Sequence, residues 1–291
     1  MRLNFMRSQS VSADKDELYL KALKALVSKY PGNEATAEVQ YYIAQYYNNS
    51  GDTYTVDLPE TRWHKKKALT ICKLAMEQFP DSYGATLCKQ LVATIESKSL
   101  SSEAEIAYAK QENGRVKISY RNVDSVFVRI INVPADFYTN QRYYGREILD
   151  QLKSKEINKE MVVKLENPGD YQNHSTEIVL PKMDLGQYAI LISHDNSFSQ
   201  KENIVLHDSY WVSDLAYTHT SNSDNSLTVF VTDRSTGKPL NRVKVELYER
   251  KYNYSISDYE VKLRETFRTD LNGKLTLSLI HIWRCRRALM W

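Results

Sequence analysis

The sequence predicts an α+β multidomain chain in which helical hairpins precede two antiparallel β-sandwich domains, the second of them truncated. In the first hundred residues, apolar side chains recur every three or four positions, which is typical of helices with one buried face. Farther along, the apolar period falls to two, and short turn clusters separate the alternating segments. Short strands that are separated by turns, without alternating helices, favour antiparallel strand pairing. We expect domains over the ranges 1–100, 103–207 and 208–277, followed by a tail over 278–291.

The composition excludes several classes of function. Hydrophobic residues make up 42% of the 291 positions and charged residues 26%, which is typical of a folded globular protein. Because the net charge is only +3 and both signs are interspersed, we expect no concentrated basic face for a nucleic acid or an anionic membrane. No apolar run approaches the roughly 18 residues of a membrane-spanning helix. We therefore predict no nucleic-acid partner.

Two helices are predicted within the first 50 residues. The first begins near Asp14, where Glu17 three residues on completes an N-cap arrangement, and Pro31-Gly32 ends it. The second covers roughly 33–48, and the polar cluster 49–52 ends it. The buried stripe of the first helix comprises Leu18, Ala22, Leu23, Leu26, Val27 and Tyr30.

The helical pattern recurs with an offset of 49 residues. The matched segments are Lys29-Tyr30-Pro31 with Gln78-Phe79-Pro80, Leu20 with Leu69, Ala22-Leu23 with Ile71-Cys72, Leu26-Val27 with Ala75-Met76, and Ala44 with Ala93. Because one hairpin cannot bury its apolar stripe alone, we expect two stacked hairpins. The aromatic-Pro turn and the small alanines resemble a tetratricopeptide-type repeat with an enlarged connection around 52–60. Cys72 and Cys88 fall at apolar positions, and we interpret them as small buried hydrophobes.

A polar linker is predicted over 97–102, and two sets of strands follow it. The strands of the first set are 116–120, 125–130, 161–165, 176–180 and 188–193, with one amphipathic helix inserted over 146–155. The strands of the second set are 210–217, 226–232, 242–248, 261–269 and 274–277. Because the second set has so few strands, we expect its sandwich to be incomplete.

Two hairpins of the second set carry a specific pattern. In Leu227–Leu240, a strand runs into a tight turn where Asp233 can accept backbone hydrogen bonds and Gly237 supplies a positive φ. A later hairpin turns at Asn272-Gly273. The order "V-T-D-x-x-T-G-x-P-L", an alternating strand and "T-D-x-N-G-x" resembles the second macroglobulin-like domain of bacterial α2-macroglobulins. Tyr210–Leu215 resembles the first strand of that domain.

The resemblance covers about 104–277 as two macroglobulin-like domains, and their order after a helical region is similar to the large α2-macroglobulins of Bacteroides-type bacteria. It implies an exported, non-enzymatic protein of the periplasm or cell surface. The full-length form of such a protein traps proteases, because cleavage of a bait segment collapses its domains around the attacker. This chain would be an N-terminal scaffold in it, with proteases as partners of the full-length parent alone. The alternative is a cell-surface structural or adhesive binding module with a tetratricopeptide-like adaptor and Ig-like repeats.

Residues that could carry chemistry are scattered. The histidines are His64, His174, His194, His207, His219 and His281, and none has the i, i+4 partner of a helical metal site. We interpret His194-Asp195 and His207-Asp208 as surface-loop pairs rather than catalytic ones. No Gly-rich phosphate loop or G-x-S-x-G elbow occurs. We therefore assign no catalytic, cofactor-binding or metal-binding residue, no cofactor and no small-molecule substrate, and we expect no enzymatic activity.

The cysteines and tyrosines receive structural interpretations. The three cysteines, of which Cys285 is the last, form neither a disulfide framework nor a metal set. Cys88-Lys89-Gln90 lacks the glutamate of the Cys-x-Glu-Gln thioester motif that many α2-macroglobulins carry. The 21 tyrosines concentrate in the helical region and in later strands, where we interpret them as packing residues. A carbohydrate or peptide platform is the alternative.

Both ends of the chain are typical of a piece of a longer protein. Met1–Arg7 lacks the apolar core of a signal peptide. Either the protein is cytoplasmic, or its natural N-terminus, with any membrane anchor, precedes Met1. At the other end, Leu277–Arg287 resembles the translation of a sequencing-library adapter with a stop codon read as Trp283. We interpret 278–291 as a non-native tail, and a basic amphipathic membrane-binding tail is the alternative.

Overall fold

The computed structural model describes residues 15–138, 146–255 and 258–277, and the statements below concern these residues. Four α-helices occupy the first part: α1 (Lys15–Lys29), α2 (Ala35–Gly51), α3 (His64–Gln78) and α4 (Tyr83–Glu96). A 3-10 helix, Pro59–Thr61, lies in the enlarged connection. The two helices predicted for the first hairpin are confirmed, although the second extends to Gly51. The predicted cap Asp14 lies outside the described residues.

The helices share one apolar core and pack closely. Leu23, Leu69 and the two cysteines are buried in that core, together with small alanines. At the start of α4 the Ser82 hydroxyl accepts a hydrogen bond from Ala85 N at 3.0 Å, which satisfies one of the free N–H groups of the first turn. A Cβ at Gly84 would come within 2.3 Å of the Ala37 carbonyl carbon on α2, so no larger residue fits there. The tetratricopeptide type of these hairpins stays a prediction.

Eight strands form the next two sheets. They are β1 (Ser99–Ala104), β2 (Ala107–Tyr108), β3 (Arg115–Arg121), β4 (Ser125–Val133), β5 (Lys159–Lys164), β6 (His174–Val179), β7 (Gly186–Ser193) and β8 (Val205–Val212). One sheet has the order β1-β3-β6, and the other has the order β2-β8-β7-β4-β5. The five predicted strands of this set are confirmed. The predicted linker over 97–102 is wrong, because β1 occupies most of it.

The inserted helix, α5 (Arg146–Lys153), covers one face of the five-stranded sheet. Its Leu152 is fully buried against Leu191 of β7 and Ile131 of β4. Ile190 and Ile192 on the opposite face of β7 are buried as well, so every residue of β7 after Gly186 is buried. The expectation that strands of this chain bury only alternate side chains is wrong for β7, because the helix supplies a second apolar layer.

Five further strands form the last part: β9 (Leu215–Ser221), β10 (Leu227–Asp233), β11 (Lys244–Asn253), β12 (Asp258–Arg268) and β13 (Lys274–Leu277). They make a sheet of order β13-β10-β9 and a two-stranded sheet of β11 and β12. Val229 and Val231 of β10 pack against Val245 of β11, so the two sheets share an apolar core. The antiparallel pairing predicted for these strands is confirmed.

The single strand predicted over 210–217 is wrong, because the chain changes partner within it. Up to Val212 it pairs with β7, and from Leu215 onward it pairs with β10. The break is fixed by local hydrogen bonds: Leu215 N donates to Ser213 Oγ at 3.1 Å, and Arg234 N donates to Asp214 O at 2.7 Å.

The structure also departs from the predicted antiparallel pairing at one place, because β2 pairs with β8 in parallel over two residues.

The two hairpin turns that carry the family resemblance form as predicted. Asp233 accepts hydrogen bonds from the backbone N and the hydroxyl of Thr236, at 2.8 and 2.7 Å, and Gly237 has a φ of +69°. At the later turn, Asp270 Oδ1 accepts from the backbone N atoms of Asn272 and Lys274, at 2.9 and 2.8 Å. Gly273 has a φ of +68° there. Both carboxylates therefore serve the turns that contain them.

The chain divides into two compact units. One comprises the described residues up to Ser101, together with Ser119–Ser125 and Lys164–Thr176. The other comprises the remaining described residues of Ser102–Ile118, of Val126–Val163 and from Glu177 onward. The domain bounds predicted from the sequence stay predictions. None of the described helices is long and apolar enough to cross a membrane, and the interpretations of Met1–Arg7 and of the tail 278–291 lie outside the described residues.

Candidate functional site

Two ionisable side chains converge on Asp170, in the unit that contains α1 to α4. The carboxylate is fully buried. Its Oδ2 accepts from Arg62 Nε at 2.9 Å, and its Oδ1 lies 2.8 Å from His174 Nε2 and 3.1 Å from Gln172 N, which donates to it. We call Asp170, Arg62, Gln172 and His174 the Asp170 cluster.

The local backbone directs Asp170 inward. Gly169 and Tyr171 on either side of it have φ values of +75° and +59°, so the chain turns at both positions. The ring of Tyr171 packs against the core of the helices, and the Gln172 amide donates to Gly51 O at 3.0 Å and to Arg62 O at 3.1 Å. The Gln172 amide thus supplies hydrogen bonds to one carbonyl at the end of α2 and to another just before α3 begins. The connection between β5 and β6 is joined to the helices by these polar contacts.

The electrostatics of the cluster favour an ionised Asp170 at neutral pH. Burial alone raises the pKa of the carboxyl, but the hydrogen bonds from His174, Gln172 and Arg62 outweigh it and hold the pKa below its ordinary value. The hydrogen bond between Arg62 and Asp170 raises the pKa of Arg62. A carboxylate that accepts three hydrogen bonds from protein donors and has no exposed surface is closed to a substrate. The cluster can hold a loop in place, but it is not suited to general acid–base chemistry.

A second ionisable pair lies in the other unit, where Tyr138 Oη is 2.7 Å from His207 Nε2. The expectation of a surface loop is wrong for His207, which is half-buried within β8. Burial lowers the pKa of His207, so its imidazole is neutral at pH 7, and burial raises the pKa of Tyr138. A neutral imidazole beside a protonated phenol shares one hydrogen bond, and neither group is activated as a nucleophile.

The remaining histidines are dispersed. His64 Nδ1 is 2.9 Å from Ser50 Oγ, and His219 lies exposed on β9. His194 follows the end of β7, and His281 is outside the described residues. No group of three or more His, Cys, Asp or Glu side chains that could hold a metal ion occurs among the described residues. Cys88 is buried in the core of the helices together with Cys72, and its sequence lacks the glutamate of a thioester motif.

A groove of about 330 Å³ in the first unit is lined by three tyrosines. Its walls are the rings of Tyr19, Tyr42 and Tyr46 together with polar side chains of Asp16, Gln45, Asn49, Ser50 and Thr53. Burial raises the pKa of Tyr46, and the nearby charges of Asp16 and Glu17 raise it further. Aromatic faces beside carboxylates suit polar or cationic groups. If the tyrosines of this chain bind a peptide or a carbohydrate, this groove is the candidate surface.

The sequence did not indicate the Asp170 cluster, because Asn167-Pro168-Gly169-Asp170 has the composition of an ordinary turn. Its partner Arg62 is 108 positions away, and nothing local marks the pairing. The only available indication was the rarity of a buried carboxylate, which is visible in a structure and not in a sequence.

Comparisons with known proteins give weak similarities. No family model matches the chain, and no curated protein matches it. A crystal structure of native α2-macroglobulin from Escherichia coli, spanning domains MG0-NIE-MG1, aligns at 14% identity and a TM-score of 0.42 over 60% of this chain and 57% of that chain. The native E. coli protein seen by cryo-electron microscopy aligns at 11% identity and a TM-score of 0.28, over 63% of this chain and 14% of that chain.

The elastase-activated form of the same E. coli protein aligns at 14% identity and a TM-score of 0.26, over 63% of this chain and 20% of that chain. The alignments thus span little more than half of one of these chains and a fifth or less of the others. Similarity at this level leaves the chain without an assigned family.

Proposed function

We propose that this chain is a non-catalytic scaffold segment of an exported, α2-macroglobulin-like protein that traps proteases. The bait segment and the thioester of such a protein would be carried by other residues, because the sequence given has no Cys-x-Glu-Gln motif. The proposal includes a location in the periplasm or at the cell surface. It also includes proteases as partners of the full-length parent alone.

One observation carries the proposal: the polar groups of the family-like hairpins act within their own turns. Asp233 and Asp270 accept backbone hydrogen bonds, and the glycines that follow them adopt positive φ values. The "D-x-x-T-G-x-P" and "D-x-N-G" patterns therefore have a structural role that fits a rigid sandwich module. The fully buried carboxylate of Asp170 accepts a hydrogen bond from Arg62 and so joins its loop to the helical region. Such use of polar residues fits a scaffold better than a reactive centre.

The natural reading frame around this sequence tests the proposal first. We expect further macroglobulin-like domains, a long protease-sensitive linker and, in a thioester-bearing parent, a Cys-x-Glu-Gln motif. A reading frame of tandem sandwiches that end in a cell-surface anchor, with no such linker, would replace the proposal with the structural or adhesive alternative.

The encoded full-length protein then tests trapping directly. After incubation with elastase, we expect the trapped protease to lose activity on a large protein substrate while it keeps activity on a small peptide substrate. The matched control is the same protein without the protease-sensitive linker, which should leave both activities unchanged. The 291-residue chain alone should also leave both unchanged. Inhibition by this chain alone, or hydrolysis of any substrate by it, would contradict the scaffold proposal.

A further inference from the structure

The two cysteines of the helical unit are symmetric about one turn. Cys72 lies on α3, eight residues before Pro80, and Cys88 lies on α4, eight residues after it. In an antiparallel helical hairpin, residues equally far from the turn are at the same height along the two axes, because each residue rises by about 1.5 Å. The sequence alone therefore places the two side chains level with each other, provided that they face inward.

The structure shows that both do face inward. Each cysteine has no exposed surface, and both belong to the apolar core of the helices. Small residues belong to the same core, since Ala68 and Ala75 are buried in it with the cysteines. Short side chains let two helices approach closely, and closeness is what a covalent bridge between helices requires.

The two thiols also affect each other's pKa. A hydrogen bond between the two sulfurs raises the pKa of Cys72, and burial raises it further. The same hydrogen bond lowers the pKa of Cys88, whereas burial opposes that effect. Of the pair, Cys88 is therefore the thiol that loses its proton first. Two buried sulfurs that face each other across a hairpin have the arrangement that an S–S bond of about 2.04 Å requires.

We propose that Cys72 and Cys88 form an intramolecular disulfide that covalently joins α3 and α4 when the chain folds in a thiol-oxidising environment. The oxidant is a small-molecule or protein disulfide, for which glutathione disulfide serves as the probe. This inference goes beyond the scaffold function and stands independently of it, since it depends on the helical core alone.

The chemistry is two thiol–disulfide exchanges. The Cys88 thiolate attacks one sulfur of glutathione disulfide, which forms a Cys88–glutathione mixed disulfide and releases one glutathione thiolate. The Cys72 thiolate then attacks Cys88 Sγ and releases the second glutathione thiolate. The two protons lost by the cysteines are taken up by the two glutathione thiolates. Because both cysteines are fully buried in the fold, we expect exchange during folding or after transient opening of the hairpin.

Refolding in a glutathione redox buffer tests the proposal. The unfolded, reduced chain is refolded with reduced and oxidised glutathione, quenched with acid, denatured, treated with N-ethylmaleimide and digested with trypsin. We expect the peptides of residues 68–73 and 74–89 to be recovered as one disulfide-linked species, about 2 Da lighter than the sum of the two reduced peptides. Cys285 is on a separate peptide and should be alkylated. Recovery of alkylated Cys72 and Cys88 from the folded, oxidised protein would overturn the proposal.

Thermal unfolding with and without a reductant gives the second measurement. A bridge that closes a loop of this length should raise the midpoint of the helical unit on the order of 10 °C, and dithiothreitol should remove the increase. Cys72→Ala and Cys88→Ala are the matched controls, whose midpoints should not depend on the reductant. Cys285→Ser should behave like the natural sequence. An oxidised protein whose midpoint is the same with and without dithiothreitol would contradict the bridge.

Discussion

Strands β7 and β9 differ sharply in what surrounds them, although both belong to antiparallel sheets. In β7, every residue from Gln187 to Ser193 is buried, because the sheet covers it on both edges and apolar layers cover both faces. In β9, all residues except Ala216 are exposed, and only β10 pairs with it. Strand β7 thus has both a partner on each edge and apolar cover, whereas β9 has neither. We therefore expect β7 to be the more stable of the two strands.

The same contrast applies to the cores of the two sandwiches. The five-stranded sheet has large fully buried side chains on β4 and β7, among them Ile130, Ile131, Ile190 and Leu191. The core between the last two sheets centres on three valines, and Leu215 and Tyr217 at its margin remain half exposed. Since burial of apolar area is the main source of stability, we expect the first of these cores to be the more stable part of the scaffold.

The largest expected effect is that of Ile190→Ala in β7. This change removes buried methyl and methylene groups from a site that cannot collapse, so we expect a loss of about 4 kcal/mol in the free energy of unfolding. Urea denaturation followed by circular dichroism measures it. Tyr217→Ala on exposed β9 is the control and should change stability by less than about 0.5 kcal/mol. Similar losses from the two substitutions would break the comparison between β7 and β9.

The second largest effect compares a buried carboxylate, Asp170, with an exposed one, Asp233. Asp170→Ala removes a buried charge from the Asp170 cluster and leaves Arg62, His174 and Gln172 N without their acceptor. We expect a loss of about 3 kcal/mol in the free energy of unfolding. Asp233→Ala, at an exposed turn, should cost about 1 kcal/mol. Urea titration of both variants measures the difference, and a larger loss for Asp233→Ala would contradict the role given to Asp170.

Two glycines of the last two sheets, Gly273 and Gly237, compare a crowded position with an open one. Gly273→Ala would place a Cβ within 2.3 Å of Val231 O, besides the strain of a φ of +68°. We expect a loss of about 2 kcal/mol or more. Gly237 has almost the same φ, +69°, with nothing within 4 Å of the added atom, so Gly237→Ala should cost only about 1 kcal/mol. Thermal unfolding of the two variants separates the clash from the strain, and equal losses would show that no clash exists.

The smallest effect is the pH dependence due to Asp170. Because hydrogen bonds hold its folded-state pKa below the unfolded value, the stabilisation is fully present above the ordinary carboxyl pKa of about 3.9 and is lost as the pH falls through the lower folded value. We therefore expect the helical unit to lose stability below about pH 4. Asp170→Asn should flatten this part of the profile in urea titrations at stepped pH. An unchanged profile would mean that other carboxyls cause the acid dependence.

The parts of the fold that were predictable from the sequence are those fixed by local patterns. The helices follow from the three-and-four spacing of Leu23, Leu26 and their neighbours, and the turns follow from Asp233, Gly237 and Asn272-Gly273. Strand β1 was missed because Leu100 is its only large apolar residue, so its composition was that of a linker. The break at Ser213-Asp214 was missed although these two polar residues separate the apolar runs 210–212 and 215–217.

The Asp170 cluster and the double burial of β7 were beyond local patterns for one shared reason. Both depend on contacts between distant segments: Arg62 with Asp170, and α5 with the sheet. The run Ala189-Ile190-Leu191-Ile192 is continuously apolar, which is typical of a strand covered on both faces. That indication was available, but the layer that covers the second face could not be identified without the structure.

Hydrogen exchange followed by mass spectrometry tests most directly the expectation that the buried strand β7 is more stable than the exposed strand β9. Under native conditions, we predict that the amides of β7 exchange at least roughly tenfold more slowly than the hydrogen-bonded amides that join β9 to β10, a difference of ~1.4 kcal/mol in opening free energy. Equal protection of the two strands, or slower exchange in β9, would contradict the account.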